Sequence, residues 1–90
     1  MKTMNLFIYM LKKVKVMQFS NVAKKISFTP EMLIVFLIDG RIIEIPLDYF
    51  PSLRDANETQ RNKWRFIGGG IGIHWEEIDE DISVENLLKG

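Results

Sequence analysis

The chain contains a single histidine, His74, which lies beside a run of acidic residues. Imidazoles and carboxylates are the side chains that most often carry general acid–base chemistry or bind divalent metal ions. A metal-assisted or acid–base site would be built from His74, Glu76, Glu77, Asp79 and Asp81. Their spacing matches no zinc signature, and the run Asp79-Glu80-Asp81 lacks the glycine and the distal glutamate of a calcium loop.

A structural role explains the same residues. In a strand, His74 points to the opposite face from Ile73 and Trp75, where its ring can hydrogen-bond to the acidic segment. The carboxylates before Ser83 suit the positive end of a helix that this serine would cap. The sequence therefore assigns no catalytic, cofactor-binding or metal-ligating residue, and we expect no enzyme activity. The candidate functional or signature residues are His74, Trp75, Asp79, Asp81, Arg61 and Trp64.

Two further motifs have plain structural explanations. Arg61, Lys63 and Arg65 surround Trp64, a basic and aromatic combination that occurs at nucleic-acid interfaces. Beside an acidic C-terminal third the electrostatic footprint is weak, so we expect no nucleic-acid binding by this domain alone and place Trp64 in the core. The glycines of residues 68–72 are followed by no Gly-Lys-Ser/Thr, and a bulge or turn with positive φ angles accounts for them.

The composition is that of one small globular domain. Ninety residues with 47% hydrophobic and 27% charged side chains are enough for a single core. The absence of cysteine excludes disulfides and thiolate chemistry, and it fits a cytoplasmic protein. The net charge is zero, but six acidic residues and no basic one lie between Glu76 and Glu85, which suits a basic partner.

Residues 1–21 are interpreted separately, as an N-terminal extension. The apolar run 6–11 is too short to span a bilayer, which takes about 20 residues, so we expect no membrane association. Lysines follow the run without a small-residue cleavage site, which is unlike a signal peptide. The extension is interpreted as an extra strand, a tail, or sequence that precedes a later true start such as Met17.

Residues 22–90 are predicted to form a single α+β domain around a small antiparallel sheet. Asp39-Gly40 separates two apolar runs, which is the strongest short-range signal for a β-hairpin. A two-residue turn would place Phe36 opposite Ile43. In that register both faces of the hairpin are apolar, whereas a half-exposed sheet normally has one polar face. The second face should be covered by a helix, the N-terminal segment or another chain, and the candidate interface residues are Leu33, Val35, Leu37 and Ile42.

Two short helices complete the predicted fold. Pro46 and Pro51 bracket an irregular segment that leaves the sheet. Asn57 and Gln60 have the spacing of a capping box, and the helix that they begin would run to about residue 64. Ser83 would cap the final helix, after a strand that contains His74. The predicted order of elements is β-β-β-α-β-α.

Several motifs along the chain together resemble a known family. They are Asp39-Gly40-Arg41, Ile45-Pro46-Leu47, Phe50-Pro51, Leu53, Gln60-Arg61, Gly72-Ile73-His74-Trp75, Asp79-Glu80-Asp81-Ile82-Ser83 and Leu87-Leu88. This pattern resembles the bacterial family called domain of unknown function 2442, over about residues 22–90. The chain departs from the family pattern at Tyr49, Ser52, Ala56-Asn57 and Glu76, so the resemblance implies no strict site at positions 49 and 52.

The resemblance implies a small α+β domain without an established activity. Members resemble partners of another small protein family encoded beside them, in an arrangement similar to toxin–antitoxin pairs. We therefore expect an interaction module, the antitoxin-like or regulatory partner of a small protein encoded nearby, with a protein partner, a homodimer or both. The alternatives are a metal-assisted or acid–base enzyme centred on His74 and a nucleic-acid-binding accessory domain.

Overall fold

The computed structural model describes residues 21–89, so the predicted extension at residues 1–21 lies outside the described residues except for Asn21. The strands are β1 (Ala23–Phe28), β2 (Met32–Leu37), β3 (Ile42–Pro46), β4 (Trp64–Ile67), β5 (Gly72–Trp75) and β6 (Glu80–Ser83). The helical elements are a 3-10 helix (Leu47–Tyr49), α1 (Pro51–Arg54), α2 (Glu58–Arg61) and α3 (Val84–Lys89). Within the described part of the chain, no helix is long and apolar enough to cross a bilayer.

The prediction of an α+β fold is confirmed, but the strands of residues 21–89 form two antiparallel sheets instead of one. Their orders are β1-β2-β3 and β4-β5-β6. The order of elements differs from the prediction because residues 64–67 and 80–83 are both strands, and because a 3-10 helix and α1 follow β3 where an irregular segment was predicted. The helix that Asn57 caps ends at Arg61 and does not reach residue 64. In β4, Trp64 and Phe66 are half-buried while Arg65 and Ile67 are exposed, and this two-residue alternation is typical of a strand.

The loop between β2 and β3 is one residue longer than predicted, so the predicted register is wrong by one position. Ile43 lies opposite Val35 and not opposite Phe36. Gly40, at φ 97°, donates its N–H to the carbonyl oxygen of Leu37 (3.1 Å). A three-residue loop with glycine at the left-handed position closes the hairpin in this way, whereas a two-residue type I′ turn would not.

The change of register moves the side chains of β3 to the other face of the hairpin. Leu33, Val35 and Leu37, three of the four predicted interface residues, are fully buried. They form one core cluster with side chains of the second sheet. The second sheet therefore covers the apolar face of the hairpin that was predicted to be covered. Ile42, the fourth residue, is 58% exposed on the opposite face, and the four residues therefore do not form one surface.

Trp75 is the largest fully buried side chain and connects the two sheets with the helices. Its ring packs edge-on against Phe28 of β1, with the ring centroids 6.4 Å apart and an interplanar angle of 66°. Its Nε1–H donates to the carbonyl oxygen of Arg61 (2.9 Å). Because the one polar atom of the indole is satisfied, the ring is buried without the cost of an unpaired donor.

The helical segment is held together by side chains that bond to backbone atoms. The predicted capping box is confirmed: the Asn57 side chain accepts the N–H of Gln60 (2.8 Å), and the Gln60 side chain accepts the N–H of Asn57 (3.0 Å). From the end of α2, the guanidinium of Arg61 donates to the carbonyl oxygens of Leu53 (2.8 Å) and Arg54 (2.7 Å). Arg61 thereby fixes α2 against the end of α1.

The predicted positive φ angles of the glycine segment are confirmed at residues 68–70, in a turn that joins β4 to β5. Gly70 is buried at φ 119°, and its carbonyl oxygen accepts the N–H of Ala23 (2.8 Å). A Cβ atom at Gly70 would lie 2.3 Å from the carbonyl oxygen of Ala23, which is backbone and cannot rotate away. The contact between the two sheets therefore requires glycine at this position.

We expect Gly70→Ala to lower the free energy of unfolding by about 3 kcal/mol or more, because it adds both backbone strain and a clash with β1. Gly69→Ala is the matched control, since Gly69 also has a positive φ (71°) but nothing lies within 4 Å of its Cβ position. The control should lose only about 1 kcal/mol. Urea unfolding followed by circular dichroism measures both, and equal losses would contradict the close approach of the two sheets.

Arg61→Lys should destabilise the chain by about 1–2 kcal/mol, because one ammonium group cannot replace two guanidinium hydrogen bonds to separate carbonyl oxygens. Arg65→Lys is the control, since Arg65 makes an exposed ion pair with Glu76 and such pairs contribute less than about 1 kcal/mol. Thermal unfolding of the two variants compares them directly. A smaller shift for Arg61→Lys than for Arg65→Lys would show that Arg61 does not hold α1 and α2 together.

Candidate functional site

His74 lies in the middle of β5, on the face of the second sheet that points away from the core. Its neighbours Ile73 and Trp75 are fully buried, as the alternation of a strand requires, so its predicted orientation is confirmed. The strand register places Arg65 of β4 and Asp81 of β6 on either side of it. A cation, an imidazole and a carboxylate therefore form one row across the side of the second sheet that faces away from the core.

Within this row, His74 is bonded to one carboxylate. Its Nδ1 makes a short hydrogen bond with Oδ1 of Asp81, and the side chains are 18% and 69% exposed. Such a bond fixes the plane of the imidazole ring and its tautomer. The described residues hold no group of three or more His, Cys, Asp or Glu side chains that could bind a metal ion, so Glu77 and Asp79 do not join this pair.

The cleft beside the histidine ring is lined by ion pairs. Its volume is about 570 Å³, and its lining residues are Lys63, Trp64, Arg65, His74, Glu76 and Glu77. Lys63 pairs with Glu77 (3.4 Å) and Arg65 with Glu76 (3.1 Å). The charges that could polarise a substrate in this cleft are thus partly neutralised by each other.

The acidic segment forms a strand that leads directly into the last helix. Glu80 and Asp81 lie in β6 and point to opposite faces of the second sheet, because β6 pairs with β5. Glu80 accepts a short hydrogen bond from the hydroxyl of Ser52, and Asp79 occupies the preceding turn at φ 52°. The predicted cap of the last helix is present, since the Ser83 oxygen accepts the N–H of Asn86 (3.4 Å).

The residues considered for nucleic-acid contact have structural partners. The guanidinium of Arg61 donates to two backbone carbonyl oxygens, and Lys63 and Arg65 form ion pairs with Glu77 and Glu76. Trp64 is half-buried against the core, with its ring 4.8 Å from that of Phe66. These side chains stabilise the helical segment and the second sheet, and they do not form an exposed basic and aromatic surface.

The shifts of carboxyl pKa values lie away from His74. The hydrogen bond from Arg41 lowers the pKa of Asp39 in the β2–β3 loop, and the hydrogen bond from Arg54 lowers the pKa of Asp55 after α1. Both carboxylates pair with a neighbouring arginine in the same turn or helix end. These shifts reflect local ion pairs that stabilise turns and give no indication of a catalytic centre.

A groove with a volume of about 750 Å³ lies between β3 and β6. We call it the β3–β6 groove. Apolar side chains form most of its wall, which includes the exposed side chain of Tyr49. The lining residues are Ile43, Glu44, Ile45, Pro46, Tyr49, Phe50, Asp81, Ile82, Ser83, Asn86 and Leu87.

Sequence reasoning found Asp81 and missed the remainder of this groove. The groove depends on the position of β6, which the sequence pattern had assigned to an irregular segment before the last helix. A signal was present: Ile82 follows Asp81 and precedes Ser83, an alternation of polar and apolar residues in a short run after a turn. The wrong hairpin register concealed the other wall, because it turned Ile43 and Ile45 to the wrong face.

Comparisons with known proteins agree with this fold and name no activity. The model of a family described as protein of unknown function (DUF2442) matches residues 23–90. A solved structure of a protein of unknown function from Rhodospirillum rubrum is similar, with 30% sequence identity and a TM-score of 0.66 over 77% of this chain and 86% of that chain. No curated protein matches the chain. The match covers both sheets and all of the helices, and the chain belongs to the DUF2442 family of proteins of unknown function.

Proposed function

We propose that this chain is a protein-interaction module that binds an extended segment of a basic partner protein in the β3–β6 groove. The partner that the family resemblance suggests is a small protein encoded nearby, in an antitoxin-like or regulatory pair. The single observation that supports this function best is the groove itself, which combines an apolar wall, two strand edges and an acidic lining.

The groove follows the edge of each strand. Four consecutive residues of β3 and three consecutive residues of β6 line it. Successive side chains of a strand point to opposite faces, so a cleft that touches every residue in turn must run beside the strand and not across one face. A partner in this cleft would therefore meet the backbone of both strands as well as their side chains.

The edge of β3 offers backbone groups to such a partner. In an antiparallel ladder, alternate residues direct N–H and C=O toward the neighbouring strand. The bond from Leu37 N–H to the carbonyl oxygen of Arg41 (2.9 Å) sets this alternation. The backbone of Ile42 and Glu44 accordingly faces away from β2, and within residues 21–89 no further strand pairs with β3.

The edge of β6 also offers backbone groups to a partner. Val84 donates its N–H to the carbonyl oxygen of Ile71 (3.0 Å), which continues the pairing of β6 with β5. The alternation then turns the backbone N–H groups of Asp81 and Ser83 away from β5. Strand edges of this kind bind extended peptides by β-strand addition, in which the backbone supplies affinity and side-chain pockets supply specificity.

The charge of the groove favours a basic segment. Glu44 and Asp81 both line it and both are exposed, while none of its lining residues is a lysine or an arginine. Complementary charge increases the rate of encounter and selects against acidic partners. An extended segment in which apolar residues alternate with lysine or arginine would place the former against Ile45 and Phe50 and the latter near the two carboxylates.

The two alternatives have less support from the geometry. A metal-assisted or acid–base enzyme needs further groups around His74, which is paired with Asp81 and otherwise surrounded by ion pairs. A nucleic-acid-binding role needs free cations, whereas the guanidinium of Arg61 is committed to the carbonyl oxygens at the end of α1. Neither alternative uses the β3–β6 groove.

We expect the chain to co-purify with the small protein encoded beside it and to elute with it as one complex in size-exclusion chromatography. Asp81→Lys should weaken that complex by 10-fold or more, because it places a cation in an acidic groove. Glu77→Lys is the matched control: it makes the same change in the same acidic segment but lies outside the groove. Titration calorimetry of the purified partners measures both affinities.

Two results would contradict this function. Independent elution of the two unmodified proteins would exclude the pairing. Equal weakening by Asp81→Lys and Glu77→Lys would show that only the overall acidity of the segment matters, and the groove would then not be the binding site. Circular dichroism of each variant verifies that the fold is retained.

A further inference from the structure

The first sheet has a second surface, opposite the core, which the groove does not explain. The strand register places Phe36 between Lys25 and Ile42 in one row, and Ile34 between Ser27 and Glu44 in the next. Ile38 extends the central strand at one end. We call the surface made by Lys25, Ile34, Phe36, Ile38, Ile42 and Glu44 the outer face.

The outer face is apolar where an exposed sheet is normally polar. Ile38 is 49% exposed and Ile42 is 58% exposed, and Ile34 and Phe36 beside them are half-buried. None of these four side chains belongs to the core cluster of the described residues. An antiparallel sheet that faces water usually alternates apolar and polar residues, so the composition of this face indicates a contact with another protein surface.

The charges of the outer face are arranged so that it complements itself. Lys25 lies on β1 at one edge of the sheet, with its ammonium 5.1 Å from the centre of the Phe36 ring, and Glu44 lies on β3 at the other edge. A two-fold axis parallel to β2 places β1 of one copy over β3 of its partner. The two opposite charges then face each other twice, on either side of a continuous apolar stripe.

We propose that the outer face binds the same face of a second copy of this chain, related by a two-fold axis parallel to β2. Lys25 and Glu44 occupy adjacent rows, about 7 Å apart along the strand direction, which a lysine side chain spans. A two-fold axis perpendicular to the strands would instead place Lys25 opposite Lys25 of the second copy. These like charges repel each other, so the charges favour the axis that is parallel to β2. Sheets packed face to face in this way are typically about 30° from alignment.

The size of the face sets the strength of the contact. Three strands about 4.8 Å apart and five or six residues long present roughly 300 Å² in projection. Standard interfaces bury about 800 Å² per partner, so this dimer belongs to the weak class. We expect a dissociation constant on the order of 10–100 µM, which makes the chain monomeric at low concentration and dimeric at high concentration.

The test is sedimentation equilibrium of the full chain across a concentration range that brackets this constant. Ile42→Thr should raise the dissociation constant by 10-fold or more, because it removes the most exposed apolar side chain of the outer face from the contact. Ile71→Thr is the matched control, since Ile71 is 56% exposed but lies in the β4–β5 turn. The control should leave the constant unchanged.

A charge exchange tests the direction of the axis. Lys25→Glu and Glu44→Lys should each weaken the dimer by 3-fold or more, and the double variant should restore it, because the exchanged pairs face each other again. A chain that stays monomeric at the highest concentration overturns the proposal, as does a dimer that Ile42→Thr leaves intact. A double variant weaker than either single one overturns the arrangement of the two copies. All of these measurements omit the partner protein, so they are independent of the groove.

Discussion

The indole of Trp75 is the contact on which the remaining architecture depends. It lies in the central strand of the second sheet, packs against Phe28 of the first sheet and donates a hydrogen bond to the end of α2. Arg61, whose carbonyl oxygen receives that bond, uses its guanidinium to hold the end of α1. Sheets of three short strands have little core of their own, and a large side chain with a satisfied donor is at the centre of the core that they share.

This arrangement explains why the Gly-Ile-His-Trp motif identifies the fold without identifying a reaction. Gly72 begins the strand, Ile73 and Trp75 fill the core, and His74 points outward to bond with Asp81. Ile73 and Trp75 are required by packing, since both are fully buried. The side chain of His74 lies on the opposite side of the second sheet from the core, where its bond with Asp81 joins β5 to β6.

Local signals in the sequence predicted local structure well. The capping box at Asn57, the cap at Ser83, the positive φ angles of the glycine segment and the strand around His74 all depend on residues close together in the chain. The register of the first hairpin could not be predicted in the same way. Two-residue and three-residue loops both accept Asp-Gly, and the choice between them depends on which face of β3 meets the second sheet.

The candidate site was harder to predict for the same reason. The β3–β6 groove is lined by residues about 40 positions apart in the chain, and its existence requires both the correct register of β3 and the recognition of β6 as a strand. The predicted hairpin register was wrong by one residue. It therefore placed Ile42 in the candidate interface, although Ile42 lies on the outer face of the first sheet. Nonlocal pairing, which a single sequence does not encode in any short window, therefore decides where the surfaces of this protein lie.

Pro46 gives the end of β3 a property of its own. It lies at the edge of the sheet and has no N–H, so a chain laid along β3 loses a hydrogen-bond donor after Glu44. Backbone hydrogen bonding between β3 and an added chain is thus limited to a short stretch. The carboxylate of Glu44 also repels a strand edge that carries acidic residues, including the β3 edge of a second copy. The composition of β3 therefore disfavours the indefinite edge-to-edge stacking from which aggregates grow.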